Sequence, residues 1–177
     1  RNKLSLLGSI MNKNVQYNIN NFDIRLAKES DLIDVYNLSN DFVVRNNSFN
    51  SDNISLNSHT KWFYKKITST DCLFFVIRDT KGVLVAQIRF DLANKNSKDY
   101  IVTIHLNSLY RGKGLGTSLL KLVSDKLIKE FGAKKIIAYV KLENIASKKS
   151  FLKADYILVC EDVKDGFKVF KFEYLGM

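Results

Sequence analysis

From residue 22 to 27 the chain runs Phe-Asp-Ile-Arg-Leu-Ala, an apolar–polar alternation that predicts a strand with one buried face. Ser30 precedes Leu32, Ile33, Tyr36 and Leu38, so a helix capped by Ser30 follows. A polar, Asn- and Ser-rich stretch over 46–57 leads to Ser58, then to His59, Trp62, Phe63 and Ile67 at helical spacing. That is a loop feeding a second short helix. Runs at 73–78, 83–90 and 100–106 predict three strands, the first two joined by a hairpin turn at Asp79-Thr-Lys-Gly82. Over 115–131, Leu115, Leu119, Leu122, Val123, Leu127 and Phe131 recur at steps suited to an amphipathic helix closed by Gly132. A strand at 135–141, a helix begun at Asn144 and strands at 156–161 and 167–174 around Asp165-Gly166 complete the pattern.

The order is β-α-α-β-β-β-α-β-α-β-β. An antiparallel meander enters a crossover whose helix demands one parallel pair, so the class is α+β with a mixed sheet. No internal repeat is visible. The 177 residues suit one domain, and 46% apolar content with twelve Phe and eight Tyr excludes a disordered chain. The longest apolar runs fall far short of the roughly 20 residues a membrane span needs. Cys72 and Cys160 lie in apolar runs without metal-ligand spacing, which predicts two buried thiols, no metal and a reducing cytoplasm. The chain starts with Arg1, so residues 1–20 read as a linker or remnant and 21–177 as the domain.

The net charge of +10 is unevenly spread: residues 111–153 hold eleven basic and three acidic groups. Such a block points to an anionic ligand or to a solvated lysine face. No aromatic-interleaved basic strand accompanies it, so nucleic acid is not expected.

Within the block, Arg111-Gly-Lys-Gly-Leu-Gly116 sits between strand and helix, with backbone amides free at the helix start, a geometry that binds phosphate. The Walker spacing fails, and Thr117 stands where the dinucleotide fingerprint wants Gly or Ala. What remains is Arg-x-x-Gly-x-Gly. On this loop and the element order, residues 22–174 resemble the GCN5-related N-acetyltransferase (GNAT) superfamily, with a mostly antiparallel sheet of about seven strands flanked by about four helices.

The resemblance implies acetyl-CoA as cofactor. It implies a pyrophosphate held by Arg111, Gly112, Lys113, Gly114, Leu115, Gly116 and Thr117, and an oxyanion received by the backbone amide of Leu106 or Asn107. Asn144 and Ser147 match the family's pantetheine contacts. Seven residues after the Asn, where many members carry a Tyr proton donor, stands Phe151, which cannot donate; Asp155-Tyr156 replaces the usual Gly-Phe.

The segments around Arg45, Ser48, His59, Trp62 and Arg89 resemble one branch, which acetylates the amine of nucleotide-linked 4-amino-4,6-dideoxy sugars. That branch occurs alone and fused behind a nucleotide-sugar hydrolase. These five residues are the expected acceptor contacts, and attack is expected to be direct. The strand before the loop has no carboxylate to act as base, leaving His105, His59 or a water relay. A protein N-terminal or ribosomal-protein acetyltransferase and a non-catalytic acetyl-CoA-binding module remain as alternatives; oligomeric state stays open.

Overall fold

A computed structural model describes residues 22–94 and 96–176. The expected segment 1–20 lies outside them. The strands are β1 (Asp23–Leu26), β2 (Cys72–Arg78), β3 (Leu84–Leu92), β4 (Asp99–Leu106), β5 (Lys135–Lys141), β6 (Ile157–Lys164) and β7 (Phe167–Tyr174). The α-helices are α1 (Leu32–Ser39), α2 (Phe42–Asn47), α3 (Leu56–Thr68), α4 (Leu115–Phe131) and α5 (Ile145–Lys153). Short 3-10 turns precede α1 and follow β4. The sheet order is β1-β2-β3-β4-β5-β7-β6, antiparallel except for β4 with β5.

Sequence alternation decides which face most strand residues occupy, and a register shift between β2 and β3 resets it at Leu84. Ile88, Phe90 and Val102 pack with Leu119, Val123 and Leu127 of α4, whereas Phe74, Val76 and Leu84 pack with Val35 and Phe63 of α1 and α3. Each fully buried large side chain of this kind contributes roughly 1.5–3 kcal/mol. Gly132 ends α4 in the left-handed region, as its position predicts.

Several local expectations change. The cap of α3 is Ser55, whose Oγ accepts from Ser58 N at 3.2 Å, so the helix starts earlier than Ser58. Ser30 falls in the 3-10 turn ahead of α1, and its side chain caps nothing. Helix α2, within a span without sustained periodicity, is a fifth helix begun by Asp41, which accepts from Val44 N at 3.1 Å. Cys72 is buried, but Cys160 is exposed, because β6 is an edge strand and its Cys160 side is covered by no helix. No helix among the described residues is long and apolar enough to cross a membrane.

The feature that positions the site is a failure of pairing. Strands β4 and β5 register only at Asp99↔Lys135, Tyr100↔Ile136 and Ile101↔Ile137. Beyond these they diverge, and the edge of β4 from Val102 to Leu106 is left without a strand beside it.

Candidate active site

The gap between β4 and β5 opens a cavity of about 800 Å³ that passes through the sheet. The glycine loop and α5 line one mouth, and α2, α3 and the odd-numbered face of β3 and β4 line the other.

In the glycine loop at the first mouth, Gly112, which lines the cavity, and its neighbour Gly114 both have φ +75°, and a Cβ added to either would meet no atom within 4 Å. Packing does not require glycine there. Left-handed backbone and open space for a ligand do. Gly116 is close instead: its Cβ would lie 3.3 Å from Leu106 Cδ2, so glycine keeps α4 near the strand. Gly114 is the N-cap of α4, and no acidic residue occupies the first turn, where Leu115 and Thr117 lie. Free amides and the helix dipole there suit a pyrophosphate. The cradle therefore fits the phosphates of acetyl-CoA.

The side chain of Arg111 has another task. Its Nε donates to Leu106 O at 2.9 Å and its Nη2 to Asp41 Oδ1 at 2.7 Å, clamping the loop to the start of α2. Lys113 turns back to Leu109 O at 3.2 Å, and of the loop only Arg111, Gly112 and Gly116 line the cavity; Lys113, Gly114, Leu115 and Thr117 lie outside its lining. Asn144 caps α5, its Oδ1 accepting from Ser147 N at 3.0 Å, while both residues line the cavity. Phe151 also lines it but is buried against Tyr156 and Phe172. Asp155, at φ 64°, explains why a glycine suits that position; Asp tolerates the same conformation.

The two candidate oxyanion amides separate. Asn107 N donates to Val85 O at 2.9 Å, and its side chain is spent on Leu84 O and Leu109 N. That bond makes Ala86 and Leu106 a pair whose own N–H groups point away from each other. The Leu106 amide therefore faces the gap that β5 has vacated, and Asn107 does not line the cavity.

At the second mouth all five expected acceptor residues come together. Arg45 donates to Ser48 Oγ at 2.8 Å. The Arg89 guanidinium lies 5.0 Å from the Trp62 ring centroid, and the His59 ring is 5.0 Å from Trp62 on its own helix. Because β3 and β4 pair without a bulge, His105 shares a face with Gln87, Arg89 and Thr103. The three buried side-chain polar atoms without a partner among the described residues are Arg45 Nε, His59 Nε2 and Gln87 Oε1. All belong to this mouth or touch residues lining it.

Electrostatics here oppose positive imidazole. Burial, then Arg89, Arg45 and Arg111, push His105 down to about 3, and burial with Arg45 pushes His59 down to about 4. The Gln87 side-chain amide and His105 Nδ1 are hydrogen-bond partners, which fixes the ring's orientation on this face. The expectation of an imidazole titrating in the ordinary range does not carry over to this environment. One consequence is thermodynamic. Unfolding releases both rings to bind protons below about pH 6.5, so stability falls as pH drops from there toward 4. Between pH 7 and pH 5 the loss should be about 4 kcal/mol in urea titrations, and about half of that in His105→Gln.

Of the eleven basic residues in the 111–153 block, only Arg111 and Lys141 line the cavity; Lys121, Lys126 and Lys135 pair with carboxylates on the surface. Tyr139, Lys141 and Lys164, absent from the expected set, complete the wall. Alternation in β5 marks the face of Tyr139 and Lys141, but nothing local marks the strand divergence that exposes it.

No curated protein sequence matches this chain. Among solved structures, it is similar to a spermidine N-acetyltransferase from Vibrio cholerae in complex with CoA and spermine: TM-score 0.79, 18% identity, 87% of this chain and 95% of that one. A chimera of that Vibrio cholerae enzyme with hSSAT gives 0.76 and 17%, again over 87% and 95%. Mutant forms of the spermidine/spermine N-acetyltransferase SpeG from Vibrio cholerae give 0.71 and 18%, over 87% and 93%. At these identities the likeness concerns the fold. The acetyltransferase (GNAT) family profile matches residues 34–156, a span holding the whole glycine loop and both walls of the divergence. The chain belongs to that family and is an acetyl-CoA-dependent N-acetyltransferase.

Proposed function

We propose that the acceptor is an amine on a nucleotide-linked amino sugar, acetylated by direct attack on the thioester. The observation that carries this reading is charge at the second mouth. Arg45, Arg89, Lys141 and Lys164 line it, and Asp91 is the one acidic side chain among the described residues lining the cavity. Asp91 is already taken, by Lys66 at 2.6 Å and Arg89 at 2.7 Å. A polyamine, which the structurally similar Vibrio cholerae enzyme binds as spermine, would enter a cationic wall without free carboxylates. An anionic acceptor is favoured for the same reason.

In this reading the Leu106 amide receives the developing oxyanion. The amine arrives neutral, because the burial and the arginines that hold His105 and His59 unprotonated also disfavour an ammonium beside them. The C–S bond breaks as the oxyanion collapses, the amine's proton leaves through water, the CoA thiolate takes a proton from water, and His105 serves as a hydrogen-bond donor to the acceptor. His105→Gln should then lower kcat without moving the acid limb of the pH–rate profile. An acid limb near pH 6.5 that disappears in the variant would make the imidazole the base. Arg45→Ala should raise the acceptor KM about tenfold at unchanged acetyl-CoA affinity.

The direct test is thiol release from acetyl-CoA with a UDP-linked 4-amino-4,6-dideoxy-N-acetylhexosamine, beside spermidine and a peptide panel. Turnover on the sugar nucleotide is expected; turnover on spermidine or a peptide alone would overturn the reading.

A further inference from the structure

The acceptor wall contains a buried cation without a counterion. Lys141 is 6% exposed, yet it joins no ion pair among the described residues. Its Nζ has one hydrogen bond, to Asn46 O at 3.1 Å, and lies 4.2 Å from the Phe167 ring centroid. An ammonium carries three donors, and burying it against one carbonyl and one ring leaves most of its lost hydration unreplaced. Lys164, across the same wall, lies 5.6 Å from the Tyr139 centroid; its nearest carboxylate, Asp165, is 4.0 Å away and largely exposed.

These lysines are on the acceptor side. Ala138 and Val140 in β5 pack into the core against α4, so alternation sends Tyr139 and Lys141 to the opposite face from the glycine loop's helix, and Lys164 reaches the same wall from β6. The carbonyl that Lys141 holds belongs to the residue after Arg45, and Phe49 reaches over to Phe167 at 6.0 Å. The α2 segment thus crosses the gap and brings Arg45 and Lys141 to one place.

We propose that Lys141 and Lys164 form a diphosphate subsite for the nucleoside diphosphate of the acceptor, an inference that rests on the amino-sugar-nucleotide reading above. The cofactor's own pyrophosphate is accounted for on the other face, at Gly112 to Gly116.

The test is calorimetric titration of UDP into protein saturated with CoA, so that the glycine loop is filled. Inorganic pyrophosphate is the second probe. Lys141→Met keeps length and volume in a partly aromatic site, and Lys164→Gln changes a residue near the surface, so that at least one folded variant is available. UDP and pyrophosphate should bind the wild type, and each should weaken about tenfold or more in Lys141→Met and by a smaller factor in Lys164→Gln. CoA affinity should stay constant. Absence of UDP binding to the wild type, or equal UDP affinity in all three proteins, overturns the subsite. Parallel loss of CoA affinity does too, since it moves the lysines to the cofactor. The two readings fail separately. A sugar nucleotide acetylated with unchanged KM in both variants removes the subsite and leaves the function. Lys141-dependent UDP binding without acetylation of any sugar nucleotide keeps the subsite and removes the amino sugar.

Discussion

Gly114→Val is expected to weaken acetyl-CoA binding by a hundredfold or more while the domain still folds. Two effects act at this residue. At φ +75° any L side chain is strained, by roughly 1–2 kcal/mol. The second effect is specific to the ligand: the Cβ and its methyls would fill space that no protein atom uses, in front of the first amides of α4. Losing two charge-assisted amide–phosphate bonds at ~1.5–3 kcal/mol each corresponds to about a hundredfold or more. Gly82, at φ +79° in the β2–β3 hairpin, also has nothing near its Cβ and supplies the control. Gly82→Val should show a similar fall in melting temperature with CoA affinity intact. Should the two variants bind CoA equally well, the loop is only a turn.

Asp31→Ala should cost about 3–5 kcal/mol of stability, the range for breaking a buried ionic cluster by removing one side of it. Asp31 is 1% exposed. It accepts from Arg25 Nη1 and Nη2 at 2.7 and 2.8 Å, from Arg78 Nη2 and Nε at 2.7 and 3.2 Å, and from Lys28 N at 2.8 Å. It thereby ties β1 and β2 to the start of α1. Burial alone would raise this carboxyl, but Arg25, the Lys28 amide and Arg78 outweigh it and hold the group down to about 2. A depressed carboxyl stabilises fully above its ordinary value near 3.8, and that contribution is lost as pH falls toward 2. The wild type should keep the cluster at pH 5, where its histidines already weaken it. At pH 7 the variant should melt roughly 10 °C lower, with specific activity per folded molecule unchanged because the cluster does not line the cavity. A melting shift within 2 °C of wild type would sink the assignment.

Much of the fold was legible in the chain. Helix 115–131, its Gly132 cap and the strand 135–141 follow from periodicity that burial enforces. Helix α2 was not legible: its six residues form because Asp41 caps them and Arg111, seventy positions away, holds Asp41. Cys160 was misread for a related reason, since an apolar run says nothing of whether its strand lies at an edge. In the site, the glycine spacing marked the left-handed loop ahead of α4, and the segments around Arg45 and His59 marked residues that the fold brings to one cavity. Sequence left the Leu106 and Asn107 amides equivalent; hydrogen-bond phase in the β3–β4 ladder separated them.

By itself, then, the sequence determined what depends on local spacing: the longer elements, the face most strand residues take, and a glycine loop at a helix start. Tertiary structure decided what depends on distant segments meeting. It made β4 and β5 part after three residue pairs, turned the Leu106 amide into the gap and buried two histidines beside arginines, so that both stay neutral. It also buried Lys141 beside Asn46 and Phe167. Charge and exposure are properties of the assembled environment, where desolvation and neighbouring charges act through space, so a residue's order in the chain does not carry them.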